Sequence, residues 1–411
     1  AKSTKKLTNG TSNGRVKMIG FSKLLCKKYS QGDALRYGRD SAKLPHDLLQ
    51  FSLDKKPIVV WNTTRKCNLR CKHCYADASN REFSGELSVK EATTMIDDLA
   101  AFKVPVLLFS GGEPILRENL FELIKYAGNK GLRTVISTNG TLITPKIAQK
   151  IKDAGVSYVG VSIDGLESTN DKFRGVNGAF EDSIEGIHNC NKIGVKSGLR
   201  FTINKNNYRD LPDIFDLVDE EKVKRACFYH LVYSGRGTKM MDEDLDTKTA
   251  REVVDLILDK TLDLFCDASN TEILTVDNHA DAVYLYLVLK EEQPERAEEV
   301  YNLLRWNGGN NSGIAIGNID NLGNVHADQF WWNYSFGNIK ERKFSDIWTD
   351  TSDPLMAGLK NRKHLLKGRC SVCKFLEICN GNFRVRAEAM YGDVWASDPA
   401  CYLTDEEIGI V

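Results

Sequence analysis

Arg65-Lys66-Cys67-Asn68-Leu69-Arg70-Cys71-Lys72-His73-Cys74-Tyr75 places three thiols in the spacing C-x3-C-x2-C, with an aromatic residue directly after the last one. Three closely spaced thiolates can hold three corners of a cubane iron–sulfur cluster and leave one iron without a protein ligand. An open coordination position is where chemistry takes place, whereas a structural metal site is normally closed by a fourth ligand. The competing reading is a zinc site completed by His73 or by a distant cysteine. His73 lies between two of the cysteines, which makes ligation by all four awkward, and zinc motifs usually come as two paired sets of ligands.

A second motif, Ser110-Gly111-Gly112-Glu113-Pro114, follows the apolar run Val104-Pro105-Val106-Leu107-Leu108-Phe109. Two glycines at a strand end let the backbone approach a ligand closely. Glu113 and the strand-edge carbonyls suit a ligand ammonium. Alone this is an ordinary loop; downstream of C-x3-C-x2-C it is specific. Together the two motifs resemble the radical S-adenosylmethionine (SAM) superfamily.

The resemblance implies roles for single residues. Cys67, Cys71 and Cys74 would bind a 4Fe-4S cluster whose open iron chelates SAM. Reductive cleavage of SAM would then yield a 5′-deoxyadenosyl radical that abstracts hydrogen. Tyr75 matches the aromatic position beside the adenine, and Gly111, Gly112, Glu113 and Pro114 match the segment that holds the methionine amine. Thr138 and Asn139 in Ser137-Thr138-Asn139-Gly140, and Ser162 and Asp164 in Ser162-Ile163-Asp164-Gly165, match positions near the ribose and the methionyl part. Arg174 matches an arginine that meets the SAM carboxylate. Asn139-Gly140 read without the resemblance is a turn, and Arg174 a surface arginine.

Composition fits this class. Acidic and basic residues number 56 each, so there is no electrostatic footprint for nucleic acid. Eleven cysteines, seven of them in two clusters, suit a reducing compartment in which thiolates bind metal. No apolar stretch is long enough to span a bilayer and no signal peptide is visible, so a cytoplasmic, soluble enzyme is expected with no membrane partner.

Residues 1–17 are polar and basic and are expected to form a disordered tail. An N-terminal extension covers 18–56. From 57 to 240, apolar strands alternate with amphipathic helices: strands at Ile58–Trp61, Val106–Phe109, Thr134–Ser137, Tyr158–Ser162, Gly198–Ile203 and Ala226–Val232. Helical patterns run at Val89–Ala101, Glu118–Asn129, Pro145–Ala154, Ala179–Ile193 and Leu211–Glu221. Six such units imply an α/β parallel sheet with right-handed crossovers. The superfamily's partial (β/α)6 barrel fits this pattern, with every motif after the carboxyl end of a strand. Ser234-Gly235-Arg236-Gly237 is similar to a glycine-rich turn near the adenine. Residues 241–306 read as a helical bridge, and 307–411 as a small C-terminal iron–sulfur domain.

That last segment carries Cys370, Cys373, Cys379 and Cys401 as C-x2-C-x5-C-x21-C. Four thiolates describe a fully ligated cluster that carries electrons but has no iron free for substrate. Zinc is the alternative, because C-x2-C pairs suit it. The layout is similar to SPASM/twitch extensions behind radical SAM barrels, but Ala327, Asp328 and Phe383 stand where further thiols of the full SPASM pattern would be. One auxiliary 4Fe-4S cluster is expected, making two in all. Cys26, Cys190, Cys227 and Cys266 read as small apolar side chains, and His188 and His230 as structural.

Three stretches resemble the haem-biosynthesis branch: Phe21–Leu25 through Gly32–Arg39, Thr275-Val276-Asp277-Asn278-His279-Ala280-Asp281, and Gly381-Asn382-Phe383-Arg384-Val385-Arg386-Ala387. The nearest group removes two ring acetates from 12,18-didecarboxysiroheme to give iron-coproporphyrin III. The implied partners are an iron tetrapyrrole substrate and a low-potential electron donor such as ferredoxin or flavodoxin. A polycarboxylate macrocycle needs an apolar slot rimmed by cationic forks. Arg384 and Arg386 are the candidate forks, His279 (or His326) the candidate iron ligand or proton donor, and Phe330, Trp331 and Trp332 candidate walls. The competing functions are the related enzyme acting on propionates of the same substrate, a SPASM-type peptide-modifying enzyme, and a non-catalytic electron carrier. A SAM pocket is useless to a carrier.

Overall fold

Period-two alternation along the strands separates two faces of one sheet. In β3 (Val106–Ser110), Leu107 and Phe109 join the main core while Val106 and Leu108 pack with Val135 and Tyr158 in a separate cluster on the other face. Strands covered on both faces read as near-continuous apolar runs, the signature of a parallel sheet. The computed structural model describes residues 18–27, 36–37, 56–266 and 271–410. The expected tail over 1–17, and the 32–39 stretch apart from Arg36 and Tyr37, lie outside the described residues.

The strands are β1 (Met18–Gly20), β2 (Ile58–Asn62), β3, β4 (Arg133–Thr138), β5 (Val159–Ser162), β6 (Ser197–Ile203), β7 (Arg225–His230), β8 (Glu272–Val276), β9 (Ile316–Ile319) and β10 (Val325–His326). They form a single sheet in the order β1-β8-β7-β6-β5-β4-β3-β2-β9-β10. Neighbours from β8 through to β9 are parallel; only β1 on β8 and β10 on β9 run antiparallel. The run β2 to β7 is the six-unit barrel core expected from the sequence. The sheet then extends beyond it on both sides, drawing on residues before 57 and after 306.

Helices cover the outer face. The first, α1 (Phe21–Cys26), follows β1 directly. Helix α2 (Val89–Ala101) begins at a capping box between Ser88 and Glu91 and buries Ala92, Met95, Ile96 and Leu99. The same spacing buries Leu120, Leu123, Ile124 and Ala127 in α3 (Leu120–Asn129). Helix α4 (Pro145–Asp153) starts on a Thr144 cap with proline in its first turn. There follow α5 (Glu167–Arg174), α6 (Ala179–Lys192), α7 (Leu211–Glu220), α8 (Thr247–Cys266), α9 (Ala280–Glu292) and α10 (Pro294–Asn307). The stretch read as a helical bridge thus carries helices, but also β8, which extends the parallel sheet beyond β7. Five residues between two long helical patterns give a weak signal on their own.

Candidate active site

The loop after β2 carries Cys67, Cys71 and Cys74, packed together with Leu69, Ala78 and Ala179. Polar hydrogens face the sulfurs. Backbone N–H groups of Leu69 and Ala78 donate to Cys67 and Cys74 at 3.4 Å each, and Arg174 Nη1 donates to Cys71 at 3.5 Å. Burial and the neighbouring Cys71 and Glu113 push the Cys67 thiol up to about 12. Such thiols lose their protons to a coordinating metal rather than to bulk water. Among the described residues, no three Cys, His, Asp or Glu side chains gather tightly enough to hold a single metal ion.

The glycines of the second motif have a job the sequence did not reveal. A Cβ on Gly112 would lie 2.2 Å from the Lys66 carbonyl oxygen, and one on Gly111 2.4 Å from that of Thr64. Gly112 N–H and Glu113 N–H donate to the Thr64 and Lys66 carbonyls at 2.7 and 2.8 Å. The close approach is therefore to the cysteine loop itself. Pro114 starts a 3₁₀ turn capped by Glu113. The Glu113 carboxylate is fully buried and accepts from Thr138 Oγ1 and the Asn139 N–H, both at 2.8 Å. It ties the end of β3 to the end of β4. Burial pushes it up to about 7 against those donors.

Asn139 donates to Asn68 and reaches the Cys67 sulfur at 3.9 Å. Asp164 is fully buried, pairs with Arg174 and accepts from the Thr202 N–H at 2.7 Å. His73 stacks on Phe173 with centroids 4.7 Å apart, and burial drives it down to about 4, so it is a neutral ring. Gly235 presses on the Cys74 and Tyr75 carbonyls, where a Cβ would lie within 2.5 Å.

A cavity of about 230 Å³ opens on the concave face below these loops. Of the expected SAM contacts, Tyr75, Ser162 and Arg174 border it, whereas Gly111 to Pro114, Thr138, Asn139 and Asp164 do not. The Tyr75 hydroxyl is held by Asn62 at 3.0 Å and Ser110 at 3.2 Å. Tyr75 and Phe330 meet edge to face at 5.1 Å and also border a second, more open cavity of about 690 Å³ with Trp332, Arg65, Arg236 and Lys239.

The expected substrate residues fare differently. Arg386 is fully buried, bidentate on Asp398 at 2.9 Å, and donates to the carbonyls of Leu231 and Asp277. It braces the ends of β7 and β8. Arg384 is equally buried and spends its guanidinium on the carbonyls of Gly381, Val394 and Ala396. His279 is fully buried at the start of α9, its N–H donating to Asn382 at 2.7 Å. None of the three borders either cavity. The structure does join the two stretches that carry them, through Asn382 and Asn278 at 2.7 Å. Trp331 is core, whereas Phe330 and Trp332 face cavities. His326 stacks on Trp332 and binds the Tyr334 carbonyl at 2.7 Å.

Sequence reasoning read His230 as structural and passed over Arg200 and Arg133, yet all three border the first cavity. A lone arginine inside the apolar strand Gly198-Leu199-Arg200-Phe201-Thr202-Ile203, and a histidine at a strand's carboxyl end, were the available signals. At the other end of the chain, Cys379 is raised well above its ordinary range by burial and by Cys370, Cys401 and Cys373 around it. The Phe375 N–H donates to Cys373 at 3.4 Å. Among the described residues, no helix is long and apolar enough to cross a membrane.

The family model of the radical SAM superfamily matches residues 61–218. The chain is 63% identical over 395 residues to the Fe-coproporphyrin III synthase of Methanosarcina barkeri, spanning 95% of this chain and 99% of that protein. It is 44% identical over 359 residues to the pre-heme d1 synthase of Dinoroseobacter shibae, spanning 86% and 88%. Among solved structures, Streptococcus suis SuiB bound to S-adenosylmethionine matches with a TM-score of 0.65 at 20% identity over 93% of this chain and 89% of that one, a likeness of fold.

Proposed function

Because this chain belongs to the radical SAM superfamily, in the family of Fe-coproporphyrin III synthase, we propose that it removes two acetate side chains from 12,18-didecarboxysiroheme to give iron-coproporphyrin III. It is a radical SAM enzyme of haem biosynthesis acting on a tetrapyrrole. The observation that carries the specific reaction is identity of 63% spread over 95% of the chain. The lower identity to the pre-heme d1 synthase makes action on propionates the second choice.

Cys67, Cys71 and Cys74 are the ligands of the SAM-binding 4Fe-4S cluster in this reading. Support comes from their shared apolar pocket and from the N–H donors aimed at each sulfur, which offset the negative charge of bound thiolates. When bound, cluster and SAM together supply the one-electron chemistry that takes a hydrogen atom from the substrate. The chain's own part is to shape the site. Gly111, Gly112 and Pro114 seat the strand end against the cysteine loop; Glu113 fixes Thr138 and Asn139; Asp164 aims Arg174; Tyr75 and Ser162 wall the cavity.

Cys370, Cys373, Cys379 and Cys401 hold an auxiliary 4Fe-4S cluster, supported by the mutual influence of the four thiols. A low-potential donor such as ferredoxin or flavodoxin supplies electrons, in the cytoplasm, where reduced thiols persist.

The test is anaerobic incubation of reconstituted protein with SAM, a strong reductant and 12,18-didecarboxysiroheme, read by absorption and product mass. Iron-coproporphyrin III is the expected product. SAM cleavage with the tetrapyrrole returned unchanged would leave the superfamily standing and remove the substrate; loss of propionates would select the second choice. For the auxiliary cluster, Cys370→Ala should lose about half of the bound iron, as one of two equal clusters. Parental iron content would reject it.

A further inference from the structure

Five arginines bordering the cavity, Arg36, Arg133, Arg174, Arg200 and Arg225, outnumber the carboxylates among them, Glu272, Asp164 and Asp277. Arg36 and Arg225 share Glu272, and Arg174 pairs with Asp164. Arg133, at the start of β4, and Arg200, within β6, border the same cavity with no ion pair among the described residues. Arg200 donates from Nη1 to Ser137 Oγ at 2.5 Å and lies 5.8 Å from the Tyr229 ring, while its Nε is shut off from solvent with no hydrogen-bond partner. Burial and the neighbouring Arg225 and Arg36, outweighing Glu272, hold Arg133 below its ordinary value, whereas the Tyr229 and Tyr158 phenols outweigh burial and raise Arg200. Both side chains are part-buried, and an arginine fork at a cavity wall with no carboxylate partner suits an incoming anion.

The barrel is shaped around this group. Gly160 and Gly198 occupy adjoining positions of β5 and β6. A Cβ on Gly160 would lie 2.6 Å from Arg200 Nε, and one on Gly198 2.1 Å from the Tyr158 hydroxyl. Two glycines inside strands weaken those strands, and here they leave the width that a guanidinium and a phenol occupy. The Tyr158 hydroxyl is buried and has no hydrogen-bond partner either. Arg200 spends one guanidinium nitrogen on Ser137 and keeps Nε without a partner, the Tyr158 O–H has none either, and both residues border one cavity, which together make the donor set of a carboxylate site.

Resting on the proposed function, we propose that Arg200, with the Tyr158 hydroxyl, forms a carboxylate subsite inside the barrel that takes one carboxylate arm of the iron tetrapyrrole. The subsite fixes how the macrocycle stands against the cysteine loop. Arg200 is level with Ser162, the last residue of β5, so an arm held there leaves the ring system near the strand ends. SAM fits this charge poorly: its ammonium and sulfonium outweigh its single carboxylate, whereas the tetrapyrrole is a polyanion. Arg384 and Arg386 do not border this cavity and are held by carbonyls and Asp398.

The test uses the cluster-loaded full chain and the stable product iron-coproporphyrin III, with binding followed by its absorption band and SAM binding by equilibrium dialysis. Arg200→Met should weaken iron-coproporphyrin III at least tenfold while SAM affinity holds, and Arg200→Lys should recover part of the loss. Tyr158→Phe, which removes a hydroxyl that bonds to nothing, should weaken it several-fold and guards against a folding defect in the arginine variants. The tetramethyl ester of the product should bind parent and Arg200→Met alike. Unchanged tetrapyrrole affinity in Arg200→Met and Tyr158→Phe, or a loss of SAM affinity in place of the tetrapyrrole's, would overturn the subsite. A parent that binds SAM but not iron-coproporphyrin III would instead overturn the functional reading on which the subsite rests.

Discussion

His230 Nε2, at the end of β7, lies 2.9 Å from Oδ2 of Asp281, near the start of α9. The second Asp281 oxygen accepts from the Tyr402 hydroxyl at 2.9 Å, and all three residues are buried. A carboxylate behind an imidazole fixes its orientation and tautomer and makes it a better base or ligand. His230 borders the cavity, which His279 does not. Asp281→Asn keeps the shape and removes the charge, so tetrapyrrole turnover should fall by about 10–100-fold. Product formation measured beside SAM affinity separates this from a general defect. Parental turnover in Asp281→Asn would take His230 out of the site.

The Gly-Gly pair makes a sharper prediction about the cysteine loop. In Gly112→Ala the new methyl would sit 2.2 Å from the Lys66 carbonyl oxygen, one residue before Cys67. Backbone cannot yield as a flexible side chain would, so the loop must move. The variant should lose about half of its iron, the share of the SAM-binding cluster, and keep the auxiliary share. Iron and sulfide analysis after reconstitution, with parallel SAM binding, reads this directly. A Gly112→Ala protein with full iron content would show that the loop tolerates the displacement.

Arg386 and Asp398 form a fully buried pair that ties β7 and β8 to the C-terminal region. Burial alone would raise the Asp398 carboxyl; the guanidinium of Arg386, helped by Arg384 and the Ala400 N–H, outweighs it and holds the group below its ordinary 3.8. Its folded value is therefore lower than its unfolded one. The stabilisation is complete above pH 3.8 and is lost as pH falls through the lower folded value. Asp398→Asn leaves a buried cation uncompensated and should cost about 3–5 kcal/mol at neutral pH. Denaturant unfolding across the acid range checks both points: the variant should be weaker above that window and less sensitive to pH within it.

Legibility followed locality. The strands from β2 to β7 were readable because each is an apolar run closed by a turn motif, and the helices between them because their apolar residues recur at helical spacing. Both cysteine sets and Gly111-Gly112-Glu113-Pro114 are local patterns and could be found the same way. Arg200 and His230 could not. Their meaning depends on neighbours brought by the sheet: Ser137 and Gly160 on adjoining strands for the arginine, Asp281 on a distant helix for the histidine. Arg384 and Arg386 show the converse. Their motif suggested a rim of free cations, but the chain folds carbonyls and Asp398 around them. Strand β8 was hidden by its brevity between two long helices.

Tyr75 and Phe330 close the border between the inner cavity and the open one beside Trp332. The Phe330 backbone is anchored, its carbonyl accepting from Ser234 Oγ at 2.5 Å, so the ring is presented by a fixed frame. Exclusion of water and solutes protects reactive chemistry from side reactions. Phe330→Ala removes the ring and keeps the carbonyl anchor, joining the two cavities. The expected consequence is uncoupling: SAM should be consumed without matching product, and the ratio of deoxyadenosine to iron-coproporphyrin III should rise several-fold. A conservative Phe330→Leu variant should lie between the two. If deoxyadenosine and product stayed in the parental ratio in Phe330→Ala, the contact would be ordinary packing and the barrier would have to lie elsewhere along the loop.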